Sequence, residues 1–294
     1  MRFGSVFALA LLAASPAMAL TQDEAAWQQS LKDDNAAYST KAHAILKIAD
    51  AAYIGDGEAQ SLVGKPGNPA SYHWVKGVEK KAVFVASLTH GRPTLTRGGA
   101  AFDLDALGKG IPIAKDVDVA GAMTQIAPEK TGLRIFVYNQ QSKEAKAFKG
   151  LDYFPYDPAY KVTASFKAAK SAEGHLFKTS RGTDKIFYHV GDATFTLQGK
   201  KIVLPFYADA KEPAKIESLA SFFTDDLTGK VTYGAGRYVD VDGFGKFPPK
   251  TLTIDFNYAY NPNCARSTFY NCPYAVDAIP LAMRAGEKDP HTKH

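Results

Sequence analysis

The residues best suited to chemistry crowd toward the carboxyl end of the 294-residue chain: Arg237, Asp255, Asn257, Tyr258, Tyr260, Asn261 and Glu287. They stand as polar groups within otherwise apolar stretches. An arginine beside a carboxylate can grip an anionic ligand, or the two can satisfy each other as a partly buried ion pair. Tyrosine adds an apolar face with a hydroxyl, and asparagine adds both a donor and an acceptor, so the set suits a site for a small polar or anionic ligand. The alternative is a hydrolase in which Asp255 and Glu287 act as an acid/base pair while Arg237 stabilises negative charge.

These residues need strands to hold them. Residues 231–240 and 251–258 carry the β-branched and aromatic composition of strands, and an antiparallel pairing across the intervening loop would make Arg237 a cross-strand neighbour of Asp255. Strand alternation places Asp255 and Asn257 on one face, with Leu252, Ile254, Phe256 and Tyr258 on the other. Gly234 and Gly236 inside the first strand point to a bulge or a close approach of another group.

Further strands are expected at 82–89, 133–138, 161–167, 185–190, 193–198 and 201–208, with a tight hairpin at Gln198-Gly199-Lys200. Residues 161–167 alternate most cleanly, placing Val162, Ala164 and Phe166 on one face. Before them lies a glycine- and proline-rich stretch, 54–70, that reads as loop. Ahead of that, Thr21-Gln22-Asp23-Glu24 has the form of a helix-opening capping box, and Trp27, Leu31 and Tyr38 recur at near-helical spacing. The Asp33-Asp34-Asn35 run predicts a break in that helix. The expected fold is therefore mainly β: an antiparallel sandwich or barrel-like domain with an N-terminal amphipathic helix.

Several segments also carry a resemblance. Phe223-Thr224-Asp225, Thr232-Tyr233-Gly234-Ala235-Gly236-Arg237-Tyr238, Asp255-Phe256-Asn257-Tyr258-Ala259-Tyr260-Asn261-Pro262, Cys264, Cys272-Pro273 and Ala285-Gly286-Glu287-Lys288 resemble the signature of the DUF1684 family, exported bacterial proteins of unknown function. Phe148-Lys149-Gly150-Leu151-Asp152-Tyr153-Phe154 fits the same pattern upstream. Members usually follow the second cysteine with a segment ending in Glu-Asn-Arg-Leu. Here the chain reads Tyr274-Ala275-Val276-Asp277-Ala278-Ile279-Pro280-Leu281, so the polar Asn-Arg pair is absent. The resemblance implies a common fold and a common site, and no activity.

Residues 1–19 have the form of a secretory signal peptide: an early cation at Arg2, an apolar run from Val6 to Ala14, and Ala17-Met18-Ala19 before the cleavage point. The expected location is periplasmic or secreted, and the expected role that of a small-ligand-binding or envelope-associated protein. The apolar run is far shorter than the ~20 residues a spanning helix needs, and nothing later in the chain reads as membrane-spanning. Removing Arg2 lowers the formal charge from +5 to +4. That excess sits on scattered lysines rather than an arginine-rich face, which argues against nucleic acid. The expected organisation is a leader at 1–19, a helical segment at 20–50, one β-rich domain at 51–288 and a flexible tail at 289–294, working as a monomer.

Cys264 and Cys272 are the only cysteines, and in an oxidising compartment they most simply pair as a structural disulfide. Closing that short loop would contribute about 2.5 kcal/mol in the chain-entropy picture. The spacing fits neither a C-x-x-C redox pair nor a zinc site, and the seven histidines form no pair at metal-ligand spacing, so no metal and no cofactor is implied. The G-x-S-x-G elbow, the H-E-x-x-H helix and the phosphate-binding loop are also missing.

Overall fold

The computed structural model describes residues 20–291. The expected leader, 1–19, and the last three residues of the expected tail, 292–294, lie outside the described residues.

Helix α1 (Gln22–Ser39) opens as its sequence predicts, with the Thr21 hydroxyl accepting from the Glu24 amide at 3.2 Å. It runs unbroken through residues 33–35, contrary to expectation. The reason is where the Asn35 side chain goes: its Oδ1 accepts the Leu151 amide at 2.7 Å instead of competing for the helix's own backbone. Trp27 and Tyr38, eleven residues apart, fall on one face and are buried.

Nine strands follow: β1 (Ile48–Ile54), β2 (Ala59–Lys65), β3 (Asn68–Lys76), β4 (Phe84–Thr89), β5 (Arg92–Arg97), β6 (Ala100–Phe102), β7 (Ile111–Ala114), β8 (Val117–Ala127) and β9 (Lys130–Asn139). They form an antiparallel sheet ordered β1-β9-β8-β7 and a second ordered β3-β2-β4-β5-β6. One apolar cluster draws on both sheets, with Ile54, Leu62, Phe84, Leu95, Leu133 and Ile135 at its centre. The expected loop at 54–70 is thus corrected to the β2–β3 hairpin. Its glycines serve strands: Gly67 turns the hairpin at φ 79°, and a Cβ on Gly64 would lie 2.5 Å from the Tyr72 ring.

The second half contains β10 (Lys161–Phe177), β11 (Lys185–Leu197), β12 (Lys200–Ala208), β13 (Ser218–Asp225), β14 (Arg237–Asp242), β15 (Thr251–Asp255) and β16 (Asp277–Ile279). The order is β14-β13-β12-β11-β10-β15, with β16 parallel to β13. Val162, Ala164 and Phe166 are buried while their neighbours at 161, 163, 165 and 167 are exposed, as the alternation predicts. Gln198 and Gly199 both adopt positive φ, 49° and 74°, which makes the two-residue hairpin between β11 and β12. The strands expected at 185–190 and 193–198 are one strand, shifted in register near Gly191.

The antiparallel pairing of 231–240 with 251–258 does not occur. β14 pairs with β13 and β15 with β10, so the two lie at opposite ends of the sheet. The sheet curls into a nearly closed barrel and the chain beyond β15 meets β14, where Tyr238 and Tyr260 exchange backbone hydrogen bonds of 2.9 and 3.0 Å. Residues 231–236 form turns rather than strand. Gly236, at φ 86°, sits where a Cβ would meet the Phe223 carbonyl oxygen at 2.7 Å, the close approach that its position suggested.

Candidate functional site

Where the barrel closes, its polar side chains sort into three networks. Arg237, 1% exposed, points inward at the start of β14. Its Nη2 donates to Asp225 Oδ2 at 2.6 Å and to the Met283 carbonyl at 3.2 Å, and its Nη1 donates to the carbonyls of Ala285 and Glu287. Burial pulls the guanidinium below its ordinary pKa, an effect that Asp225 opposes. The Ala285-Gly286-Glu287 segment therefore serves as a backbone cradle for the arginine. Gly286 permits it, since a Cβ there would lie 2.5 Å from the Ala259 carbonyl oxygen. The expected neighbour, Asp255, takes no part.

Asp255 ends β15 because its side chain bonds the following turn, accepting from the Asn257 amide at 3.0 Å and from Asn257 Nδ2 at 2.8 Å. That turn removes Asn257 from the strand and buries it. Asn257 clamps the Asp157 backbone through bonds of 3.0 and 2.9 Å, and its own carbonyl accepts Trp27 Nε1 at 3.0 Å. These two residues join α1 to the barrel.

The third network surrounds Glu287. Its carboxylate, 1% exposed, contacts Arg266 Nη1 at 2.5 Å and accepts the Asn261 amide at 2.7 Å. Burial raises its pKa, while Arg266 and Asn261 hold it down. Asn261 is itself buried and donates through Nδ2 to the Lys288 carbonyl at 2.7 Å, leaving its Oδ1 without a partner. The Arg266 guanidinium lies 5.2 Å from the centre of the Tyr38 ring.

Beside this network, a pocket of about 240 Å³ opens between α1 and the barrel. Asp34 and Tyr38 of α1 line it together with Tyr153, Tyr258, Tyr260, Asn263 and Glu287. The Tyr38 hydroxyl donates to Asn263 Oδ1 at 3.0 Å and the Tyr260 hydroxyl to Asp240 Oδ2 at 2.8 Å. Burial raises the Asp34 carboxyl, with Asp33 adding to the effect. Burial and the nearby Glu287 push the Tyr38 and Tyr153 hydroxyls upward, so both stay protonated donors.

Of the expected site residues, Tyr258, Tyr260 and Glu287 meet at this pocket. Asn261 supports it from behind, and Arg237, Asp255 and Asn257 belong to the other two networks. Asp255 and Glu287 share no hydrogen-bond partner. Asp34, Tyr38, Tyr153, Asn263 and Arg266 were not foreseen. The spacing of Trp27, Asp34 and Tyr38 carried a signal, since all three fall within one helical face.

The cysteines require a correction. Cys264 and Cys272 are both free, and they touch through the Cys264 amide, which donates to Cys272 Sγ at 3.4 Å. Hydrogen bonding from Cys272 lowers the Cys264 thiol to about 7. Turns at 263–270 and the bonds of Asn271 and Cys272 to the 180–183 turn hold this loop without a covalent link. Among the described residues no three His, Cys, Asp or Glu side chains are placed to hold a metal ion, and no helix is long and apolar enough to cross a membrane.

Residues 146–288 match the model of a family described as a protein of unknown function, DUF1684. It is this carboxyl-terminal half of the chain that belongs to the DUF1684 family. A solution NMR structure of an uncharacterized protein from Haloarcula marismortui is 31% identical, over 51% of this chain and 82% of that one, with a TM-score of 0.43. No curated protein matches. The DUF1684 span contains the Arg237 cradle, the Asn257 clamp and the Glu287 network, whereas Asp34 and Tyr38 reach the pocket from outside it.

Proposed function

We propose that this is an exported protein that binds a small polar ligand in the pocket between α1 and the barrel. The observation that carries the reading is the buried Glu287 carboxylate at the wall of a cavity whose rim carries the exposed carboxylate of Asp34. A buried carboxylate at a cavity wall is kept there at a cost, and a ligand that donates a hydrogen bond to it offsets that cost. The lining offers acceptors and tyrosine hydroxyls, and neither lysine nor arginine is part of it. This favours a neutral, hydroxyl-bearing or cationic ligand over an anion. The volume is below that of drug-sized sites. The hydrolase alternative has less support, because Arg237 is enclosed by Asp225 and backbone carbonyls and Asp255 is bonded to Asn257.

The test is a thermal-shift screen of small polyols, amines and amino sugars against the mature protein, Asp34→Ala and Tyr258→Ala. Both positions line the pocket, and Tyr258 is 37% exposed, so the variants should fold. A compound at about 100 times its Kd should stabilise the parent by about 2.7 kcal/mol and lose most of that effect in both variants. If no compound stabilises the parent, or every stabiliser acts equally on all three proteins, the pocket is not a binding site.

A further inference from the structure

A separate group of cations lies where the two halves of the chain meet. Arg134 of β9 and Tyr53 of β1 are cross-strand partners. The Arg134 guanidinium stacks over Phe136 at 4.8 Å and Tyr270 at 5.6 Å, while Arg181 covers the Tyr53 ring at 5.1 Å. Tyr53 is held in place by its hydroxyl, which donates to the Phe269 carbonyl at 2.7 Å. Lys185, the first residue of β11, approaches from the other half of the molecule, where the amide and carbonyl of the next residue, Ile186, bond the Gln125 side chain of β8 at 2.8 and 3.3 Å.

None of the three cations forms an ion pair with a carboxylate among the described residues. Asp184, next to Lys185 in sequence, is taken by Lys178 at 2.6 Å. Arg134 Nε is buried with no acceptor. Arg181 finds only the Thr268 carbonyl, at 2.7 Å. Burial and, less, the neighbouring Arg134 lower the Lys185 ammonium. A partly buried cluster of one sign is unfavourable by itself and becomes favourable once a counter-charge bridges it.

We infer that Arg134, Arg181 and Lys185 form a binding site for a tetrahedral oxyanion of the phosphate or sulfate type, which bridges the two halves of the chain. Arg134 and Arg181 supply guanidinium donors placed over aromatic rings, and Lys185 adds a third positive charge. The site is distinct from the Glu287 pocket and has the opposite charge preference.

The experiment compares thermal midpoints of the mature protein in a zwitterionic buffer at pH 7.5 with added sodium phosphate, sodium sulfate, sodium acetate or sodium chloride, all at equal ionic strength. Phosphate and sulfate should raise the midpoint by about 4 °C beyond chloride, and acetate should not. Lys185→Met should lose that increment. Without oxyanion its own midpoint should lie above that of the parent, because one of the repelling charges is gone. Arg181→Gln, at an exposed position, provides the same comparison if Lys185→Met expresses poorly. A parent that responds equally to all four salts overturns the assignment, as do variants that keep the full phosphate increment.

Discussion

At the scale of the residue, Arg237 shows how a side chain chosen for its chemistry can serve architecture. Its guanidinium is spent on Asp225 and on the carbonyls of Met283, Ala285 and Glu287, all of them buried. Replacing it with methionine leaves Asp225 charged and enclosed, so Arg237→Met should lower unfolding free energy by about 3–5 kcal/mol. Adding Asp225→Leu should recover part of the loss, since the stranded charge goes with it. Urea unfolding of the parent and both variants checks this, and a single-variant loss below about 1 kcal/mol would contradict the enclosed pair. The importance of Arg237 was legible from an arginine standing in an apolar strand. Its partner was not, because cross-strand neighbours depend on a strand order that local periodicity does not encode. The Asp255–Asn257 spacing misled for a related reason: an aspartate that bonds the amide two residues on ends a strand, and composition alone does not show it.

At the scale of the element, strands with strong alternation were legible and those that lean on glycine were not. β10 and the β11–β12 hairpin followed their patterns, whereas β2 and β3 hid behind residues that read as loop. The short strand β16 was also missed, and it carries a titrating group. Asp277 lies beside the Tyr207 hydroxyl and near His189 and Asp192, with one carboxylate oxygen buried without a partner, and burial raises its pKa to about 6. An acid raised above its ordinary value of 3.8 is protonated preferentially in the folded state. Its stabilising contribution is present at pH 4 and is lost as pH rises through about 6. Asparagine cannot ionise, so Asp277→Asn should be more stable than the parent above pH 6.5 by an amount of the order of 1 kcal/mol, reduced for partial exposure. The gap should close toward pH 4. Urea midpoints for both proteins at pH 4.5 and 7.5 decide it, and parallel pH profiles would show that Asp277 does not titrate in this range.

At the scale of the whole molecule, the two largest apolar clusters are separate, one between the sheets of β1–β9 and one inside the barrel of β10–β16. Helix α1 belongs to the second by contact, through Trp27 to Asn257 and Asp23 to Lys161 at 2.6 Å, though it precedes the first in sequence. It forms one wall of the proposed pocket, so any process that trims the chain must leave this helix whole. The leader pattern ends at Ala19 and the helix cap is Thr21, only two residues later. Cleavage after Ala19 keeps Thr21 and with it the hydroxyl that caps Glu24; cleavage two or more residues further on would remove that cap, worth about 1 kcal/mol to the helix. Export with processing at this point therefore makes a sharp prediction. The protein recovered from the extracytoplasmic fraction of an expressing bacterium should begin at Leu20, as read by intact mass and N-terminal sequencing. Substituting arginine for Ala17 and Ala19 together should hold the full-length chain in the cell, because the small residues that the peptidase reads are gone. A chain that retains residues 1–19 and remains in the cytosol would remove the extracytoplasmic half of the proposed function while leaving the pocket to be judged by its ligands alone.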